Sequence, residues 1–442
     1  MSFRVGKIRV SRSADGFSIR GATFATAPAL GLPEETLPFF SLSYALGNIY
    51  ASFSRPIAVF DDVLYPPGRC EDAEKAYRAY LREAEGFGVK VVGGHTGCYD
   101  GIELPLIVTS AVGTEPERRD PVRPGDSVLL VGRPFLESEW LEYLAGYRSR
   151  SVNWRELTPL PLLMRLSEMK DVKILHDVSE GGIWGALLEL QEVTGLGIEL
   201  EEEFHRIVGS RSPADPSYGV VLAVTEEPRR ICSEFDECVE IGRINGGNER
   251  LTASFSSSLV ELYGAVTSWD VKLNRLGVFL RRLKGVECMS RLIPEVGTNV
   301  VYAESPGDPP ERIAGVNGRI VRSVEGFRSG RPAYGTSRHM ALVLKEAMKS
   351  DPSIRAAINI TLSDALLRVL RELGYETQEA SSVDSYCPVL EELRRRGVMS
   401  FAVVEPPGYG LEGNVVLFAR SLEDLLELLM KICEGLRRLS AT

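Results

Sequence analysis

The chain has 442 residues, 44% of them hydrophobic, and its 51 basic and 61 acidic side chains leave a net charge of −10. That length predicts two or three domains of ~100–200 residues, each able to bury a core, and an acidic balance without a basic block disfavours nucleic acid or an anionic membrane as partner. No run approaches ~18 uninterrupted apolar residues and Met1–Val5 carries no apolar signal core, so a cytoplasmic protein is expected.

In chain order, short apolar runs and turns give way to a helix over Glu71–Ala84, which places Ala73, Ala76, Tyr77, Tyr80, Leu81 and Ala84 on one face. Val89–Val92 predicts a buried strand, Gly93-Gly94-His95-Thr96 an exposed loop, and Leu104–Val112 the next strand. The polar stretch Arg119–Asp126 punctuates the chain before a strand at Ser127–Gly132. Further on, Lys173-Ile174-Leu175 leads into His176-Asp177-Val178-Ser179-Glu180-Gly181-Gly182 and then a helix with Ile183, Ala186, Leu187 and Leu190 on its buried side. Paired glycines at a strand-to-helix turn serve either close packing or contact between phosphate and backbone N–H groups, and Asp177 could bind a metal carried by such a phosphate. Val220–Val224 is another strand, and Ser254–Ser258 reads as a linker. The seven cysteines form no CxxC pair, which argues against a zinc ribbon or a disulfide framework and for buried thiols.

The last third carries an anion-binding corner. Gly335-Thr336-Ser337-Arg338-His339 opens an amphipathic helix: Ser337 is placed to cap it, Gly335 to let the backbone approach, and the first-turn N–H groups to attract phosphate or diphosphate beside Arg338 and His339. Three of the four histidines, His95, His176 and His339, sit in glycine- or arginine-flanked turns, where a group titrating near neutrality can act; His205 looks incidental. The final helix opens at Ser421 with Asp424 three residues on and carries Leu422, Leu425, Leu426, Leu429, Ile432 and Leu436.

Val92–Thr96, Arg123–Gly132 and His176–Gly182 resemble, in order and spacing, the signatures of the aminoimidazole-ribonucleotide synthetase superfamily, which includes thiamine-phosphate kinase, selenophosphate synthetase and the hydrogenase-maturation dehydratase. The likeness covers roughly residues 1–255 and implies two α/β domains, at 1–118 and 119–255, that dimerise through the first. It also implies ATP and Mg2+ at Gly93, Gly94, His95, Thr96, His176, Gly181 and Gly182, with Asp177 as metal ligand. This chain departs from that pattern: Ala25-Thr26-Ala27 and Asn48 stand where carboxylates are usual, His95 replaces a frequent acidic residue, and no glycine-rich cover precedes the first strand. Magnesium relies on hard oxygen ligands, so with Asp177, Asp61 and Asp62 as the remaining candidates the first module reads as a degenerate member, and no cofactor is fixed by sequence.

After a linker at 256–270, residues 271–442 resemble the archaeal thiamine-phosphate synthase domain in four ordered motifs: Leu292–Asn299, Gly318–Arg322, Gly335–His339 and Ile354–Ile360. The resemblance implies an α/β and α+β chain overall. It implies that this domain joins hydroxymethylpyrimidine diphosphate to thiazole phosphate, with Arg319 and His339 catalytic, while Gly335, Ser337, Arg338, Asn299 and Asn359 bind substrate. The two asparagines would read ring nitrogens, or serve as structural residues at strand ends. Leu411 stands where the family has a lysine, and the serine-rich turn before Val389 is shortened to Ser385-Tyr386-Cys387-Pro388. Three readings follow: a synthase on a scaffold that no longer phosphorylates, a bifunctional enzyme that also uses ATP, and a sensor of thiamine phosphates without turnover.

Overall fold

A computed structural model describes all residues except 1, 6–7, 13–16, 20, 248–249, 381–386, 409–411 and 441–442. Leu411 and Ser385–Tyr386 therefore lie outside the described residues. The chain forms two compact units, Met1–Thr267 and Ser268–Thr442.

The first unit contains two sheets. Strands β1 (Ser2–Val5), β2 (Ile8–Arg12), β3 (Phe17–Ile19), β4 (Ala22–Leu30), β5 (Pro56–Tyr65), β6 (Lys90–Cys98) and β7 (Leu106–Gly113) order as β1-β2-β3-β4-β7-β5-β6, with only β5 and β6 parallel. Helices α1 (Leu37–Ala51) and α2 (Cys70–Gly86) lie between these strands in sequence; α1 packs against β4 and β7, α2 against β6 and β5. Helix α2 buries Ala73, Ala76, Tyr80 and Ala84 as its periodicity predicts, but Leu81 is exposed. The predicted buried strand and loop at 89–96 are one continuous edge strand, β6, with Val92 55% exposed. The ladder shifts register by one residue at Val92 and then continues through the glycines, Gly93 and Gly94 pairing with Phe60 and Asp61.

The second sheet is antiparallel and ordered β10-β12-β8-β11-β9, from β8 (Ser127–Val131), β9 (Val172–Asp177), β10 (Gly197–Leu200), β11 (Val221–Thr225) and β12 (Cys238–Asn245). Helices α3 (Leu136–Leu144), α4 (Leu160–Glu168), α5 (Gly182–Thr194), α6 (Glu202–Val208) and α7 (Pro228–Cys232) accompany it. The stretch expected as a linker is packed: Leu262, Ala265 and Val266 are buried, and Ser257 donates to Asp215 at 2.6 Å. Tyr263 donates to Glu137 at 2.6 Å, and burial pushes that carboxyl up to about 7.

In the second unit a seven-stranded sheet orders β17-β14-β13-β18-β21-β20-β19. Its strands are β13 (Val300–Tyr302), β14 (Ala314–Val316), β17 (Pro332–Tyr334), β18 (Ala356–Thr361), β19 (Thr377–Glu379), β20 (Ala402–Glu405) and β21 (Asn414–Ala419), while β15 (Ile320–Ser323) and β16 (Gly326–Ser329) form a separate hairpin. One hydrophobic cluster gathers residues of α8 (Val271–Leu283), α9 (Met289–Leu292), α11 (Asp364–Glu372) and α13 (Leu422–Ser440); another gathers α10 (Arg338–Ser350) and α12 (Pro388–Arg396). Helix α13 starts as predicted, with Ser421 Oγ accepting the Asp424 N–H at 2.9 Å.

The cysteine reading is corrected. Cys70–Cys98, Cys232–Cys238 and Cys288–Cys433 are disulfides with Cα separations of 5.6, 5.0 and 5.4 Å, and Cys387 alone of the seven is a buried thiol. Two of the pairs span 28 and 145 residues, so the fold, not local spacing, brings them within bridging distance.

Candidate functional site

The Arg319–His339 corner is built by two backbone devices. Gly318 and Arg319 both adopt left-handed conformations, φ +73° and +67°. Arginine pays for that geometry where glycine would not, so the strain at Arg319 is held by its surroundings. Its carbonyl accepts from Gly330, Ile320 bridges to Thr298, and its guanidinium donates to the Val296 carbonyl. Across the site, Gly335 turns left-handed at φ +66° before α10 begins at Arg338. Ser337 occupies the N-cap position but its side chain makes no capping bond, contrary to expectation; its carbonyl instead accepts the Ala341 N–H at 2.9 Å.

Arg319 and Arg338 are exposed, and no carboxylate among the described residues pairs with either. His339 is exposed on one side. Partial burial, and then the nearby Arg319 charge, hold its imidazole below the ordinary histidine range, so the ring is neutral near pH 7. The site thus offers one held cation, Arg319, a second exposed one, Arg338, a neutral hydrogen-bonding ring and a helix start.

Asn299 and Asn359 are committed to the backbone. Asn299, 4% exposed, accepts from Val316 N–H at 3.2 Å and donates to Val316 O at 3.3 Å. Asn359 accepts the Asn299 N–H at 2.7 Å and donates to Gly297 O at 3.1 Å. Both amides clamp the turns that lead to Arg319, and the structural alternative is the one their geometry displays. One residue of the shortened turn before Val389 has a neighbour that its sequence did not suggest: Cys387, whose Sγ lies 2.6 Å from His339 Nε2 and accepts the Leu390 N–H at 3.3 Å. Pro388 at the first position of α12 marks the helix start, so the N-cap place of Cys387 was readable; its meeting with His339, 48 residues away, was not.

In the first unit, the glycines expected at phosphate serve packing. A Cβ on Gly182 would sit 2.6 Å from backbone atoms of Pro213, Ala214 and Asp215, and one on Gly181 3.2 Å from Gly185. The N–H groups of Gly182 and Trp184 already donate to the carbonyls of Ser179 and Pro213, each at 2.9 Å, which leaves the start of α5 poorly equipped for an anion. His176 is buried with Nε2 2.7 Å from Glu189, and Asp177 is buried beside it. Gly93 and Gly94 lie in β6, where a Cβ on Gly94 would meet Asp61 Oδ1 at 2.4 Å; His95 contacts Tyr99, and Thr96 is half-buried. No group of three or more metal-ligating carboxylate, imidazole or thiol side chains occurs among the described residues. Asp177 alone is a poor match for magnesium, which takes several hard oxygen ligands.

No helix among the described residues is long and apolar enough to cross a membrane. Residues 275–431 match the family model of thiamine-phosphate synthase ThiN, and residues 123–253 match that of the AIR synthase related protein, C-terminal domain. The thiamine-phosphate synthase ThiN of Methanothermobacter thermautotrophicus is 29% identical over 166 residues, 35% of this chain and 87% of that protein. The phosphoribosylformylglycinamidine synthase subunit PurL of Rhodococcus opacus is 26% identical over 285 residues, 58% of this chain but only 37% of the relative's length. Escherichia coli HypE, a hydrogenase maturation protein, is similar at a TM-score of 0.45 and 17% identity, over 51% of this chain and 80% of that one. Along the chain, a segment similar to the AIR synthase related protein, C-terminal domain, is thus followed by one similar to thiamine-phosphate synthase ThiN.

Proposed function

We propose that the Ser268–Thr442 unit makes thiamine phosphate from hydroxymethylpyrimidine diphosphate and thiazole phosphate. The observation that carries this reading is the convergence of Arg319, on a strained left-handed backbone, with His339 at the start of α10. In the reaction the thiazole nitrogen lone pair forms the new C–N bond as the methylene C–O bond breaks, and the electron pair leaves on diphosphate. Charge grows on the departing oxygens, where fixed donors lower the barrier. Arg319 grips two phosphate oxygens, Arg338 and the α10 start take the second phosphate group, and neutral His339 donates a hydrogen bond to the leaving oxygen. Asn299 and Asn359 hold the Arg319 turn.

The first unit supports a homodimer. The outer row of its first sheet is apolar and uncovered, with Phe17, Leu30, Ile57 and Phe60 exposed at 41–57%. Phe17 stacks on Phe24, which pairs in register with Val112. Such a face in a monomer marks an interaction surface.

Purified protein given both half-molecules should release thiamine phosphate and diphosphate in equal amounts; His339→Ala should stop this and Asp177→Ala should not. Absence of product with intact His339, alongside tight binding of thiamine phosphate, would favour a sensor instead.

A further inference from the structure

We infer that Cys387 is a positioning residue for His339: its thiol donates to Nε2 and so keeps the ring proton on Nδ1, the nitrogen that serves the leaving diphosphate. This deepens the proposed synthase reading and rests on it.

Cys387 Sγ stands 2.6 Å from His339 Nε2, on the opposite side of the corner from Arg319 in sequence and on a different helix from His339. The sulfur already accepts the Leu390 N–H at 3.3 Å as the N-cap of α12, which fixes its position through a helix start. A thiol has one hydrogen to donate while its sulfur accepts, so Cys387 can take the Leu390 N–H and give its own hydrogen to the neighbouring Nε2. Burial raises the Cys387 pKa, so the group is a thiol, not a thiolate, and can donate. A neutral imidazole has one donor and one acceptor nitrogen, and the partner of one nitrogen selects the role of the other. With Nε2 accepting from sulfur, Nδ1–H is the donor. The other charged groups that act on this pair are Arg319 on the histidine and Glu405, Arg394 and Glu391 on the thiol. The other six cysteines are in disulfides, which leaves this thiol as the one chemically suited to the task.

The test uses full-length protein with 15N-labelled histidine, whose four imidazoles are separated by NMR and assigned with His339→Gln. Wild type should show His339 protonated on Nδ1. Cys387→Ser keeps both the cap and a donor, and should retain that tautomer and most of kcat. Cys387→Asp keeps the cap but only accepts, so the proton should move to Nε2 and the imidazole pKa should rise by about one pH unit or more. In that variant kcat should fall on the order of 10²-fold with KM little changed, because the donor is misplaced while the phosphate clamps are intact. A wild-type ring protonated on Nε2, or a Cys387→Asp ring with unchanged tautomer and pKa, overturns the inference. The NMR readout needs no substrate, so failure of the synthase reading is recognised separately, by wild-type protein that shows the expected tautomer and makes no product.

Discussion

Asn299→Ala separates the two roles that its sequence position allowed. In the structure its side chain serves one residue, accepting the Val316 N–H at 3.2 Å and donating to the Val316 carbonyl at 3.3 Å, with both residues buried. Truncation leaves the N–H without that acceptor, and the carbonyl keeps only the Arg319 N–H at 3.5 Å. A buried donor stripped of its partner costs about 1–3 kcal/mol and a lost second bond to the carbonyl about 0.5–1.5, so the change should destabilise the unit by about 1.5–4.5 kcal/mol. Urea unfolding should show a lower midpoint at unchanged slope. Asn299→Asp, which keeps the acceptor but loses the donor and buries a charge, should not rescue it. The Val316–Arg319 turn also carries the left-handed Arg319, so kcat should fall in protein that is still folded. A loss below about 0.5 kcal/mol with a raised KM would refute this account and return Asn299 to ring recognition.

Asp61 is 2% exposed with no side-chain partner for its carboxylate among the described residues, and burial, with Asp62 adding and its own backbone N–H opposing, pushes its pKa from 3.8 to about 6. The native state favours the protonated form, so this contribution to stability is full below the unfolded pKa near 4 and lost as pH rises through about 6; Asp61→Asn should gain up to about 3 kcal/mol at pH 8 and little at pH 4 by denaturant titration, and equal effects at both would refute it. Reducing Cys288–Cys433, which closes 145 residues, should destabilise the second unit by up to about 5 kcal/mol on the chain-entropy relation, an effect that Cys433→Ser removes from the reductant dependence of its melting. Calorimetry should find no magnesium-dependent ATP binding, because the Gly182 and Trp184 amides are already bonded to carbonyls; micromolar ATP affinity would show that the first unit reorganises around nucleotide.

Much of the architecture was written in local pattern. The face of α2, the strand at 127–131 and the Ser421 cap each depend on residues within a few positions, which a linear reading can weigh. What was missed depended on partners brought in from elsewhere. Gly93–Thr96 reads as a loop until β5 supplies a ladder for it, and Gly181-Gly182 suits phosphate or packing until residues 213–215 are seen against it. Ser337 shows the same limit at closer range: residue type and position favoured a cap, yet its hydroxyl makes no such bond.

The same distinction orders the proposed catalytic corner. Arg319 and His339 could be picked out because motif order specifies them, but the residues proposed to aim them, Asn299, Asn359 and Cys387, make their contacts through backbone turns and a ring nitrogen. Aiming matters energetically here, since electrostatic stabilisation of a leaving diphosphate falls away when donors must reorganise during the step. The strained φ of Arg319 and the imidazole pKa of His339 are therefore linked in part: burial lowers that pKa most, the Arg319 charge beside the ring adds to it, and together they keep the ring a neutral donor rather than a competing cation. A substitution that relaxes the Arg319 turn should consequently raise the His339 pKa as well as weaken diphosphate binding, a coupling that independent residues would not show.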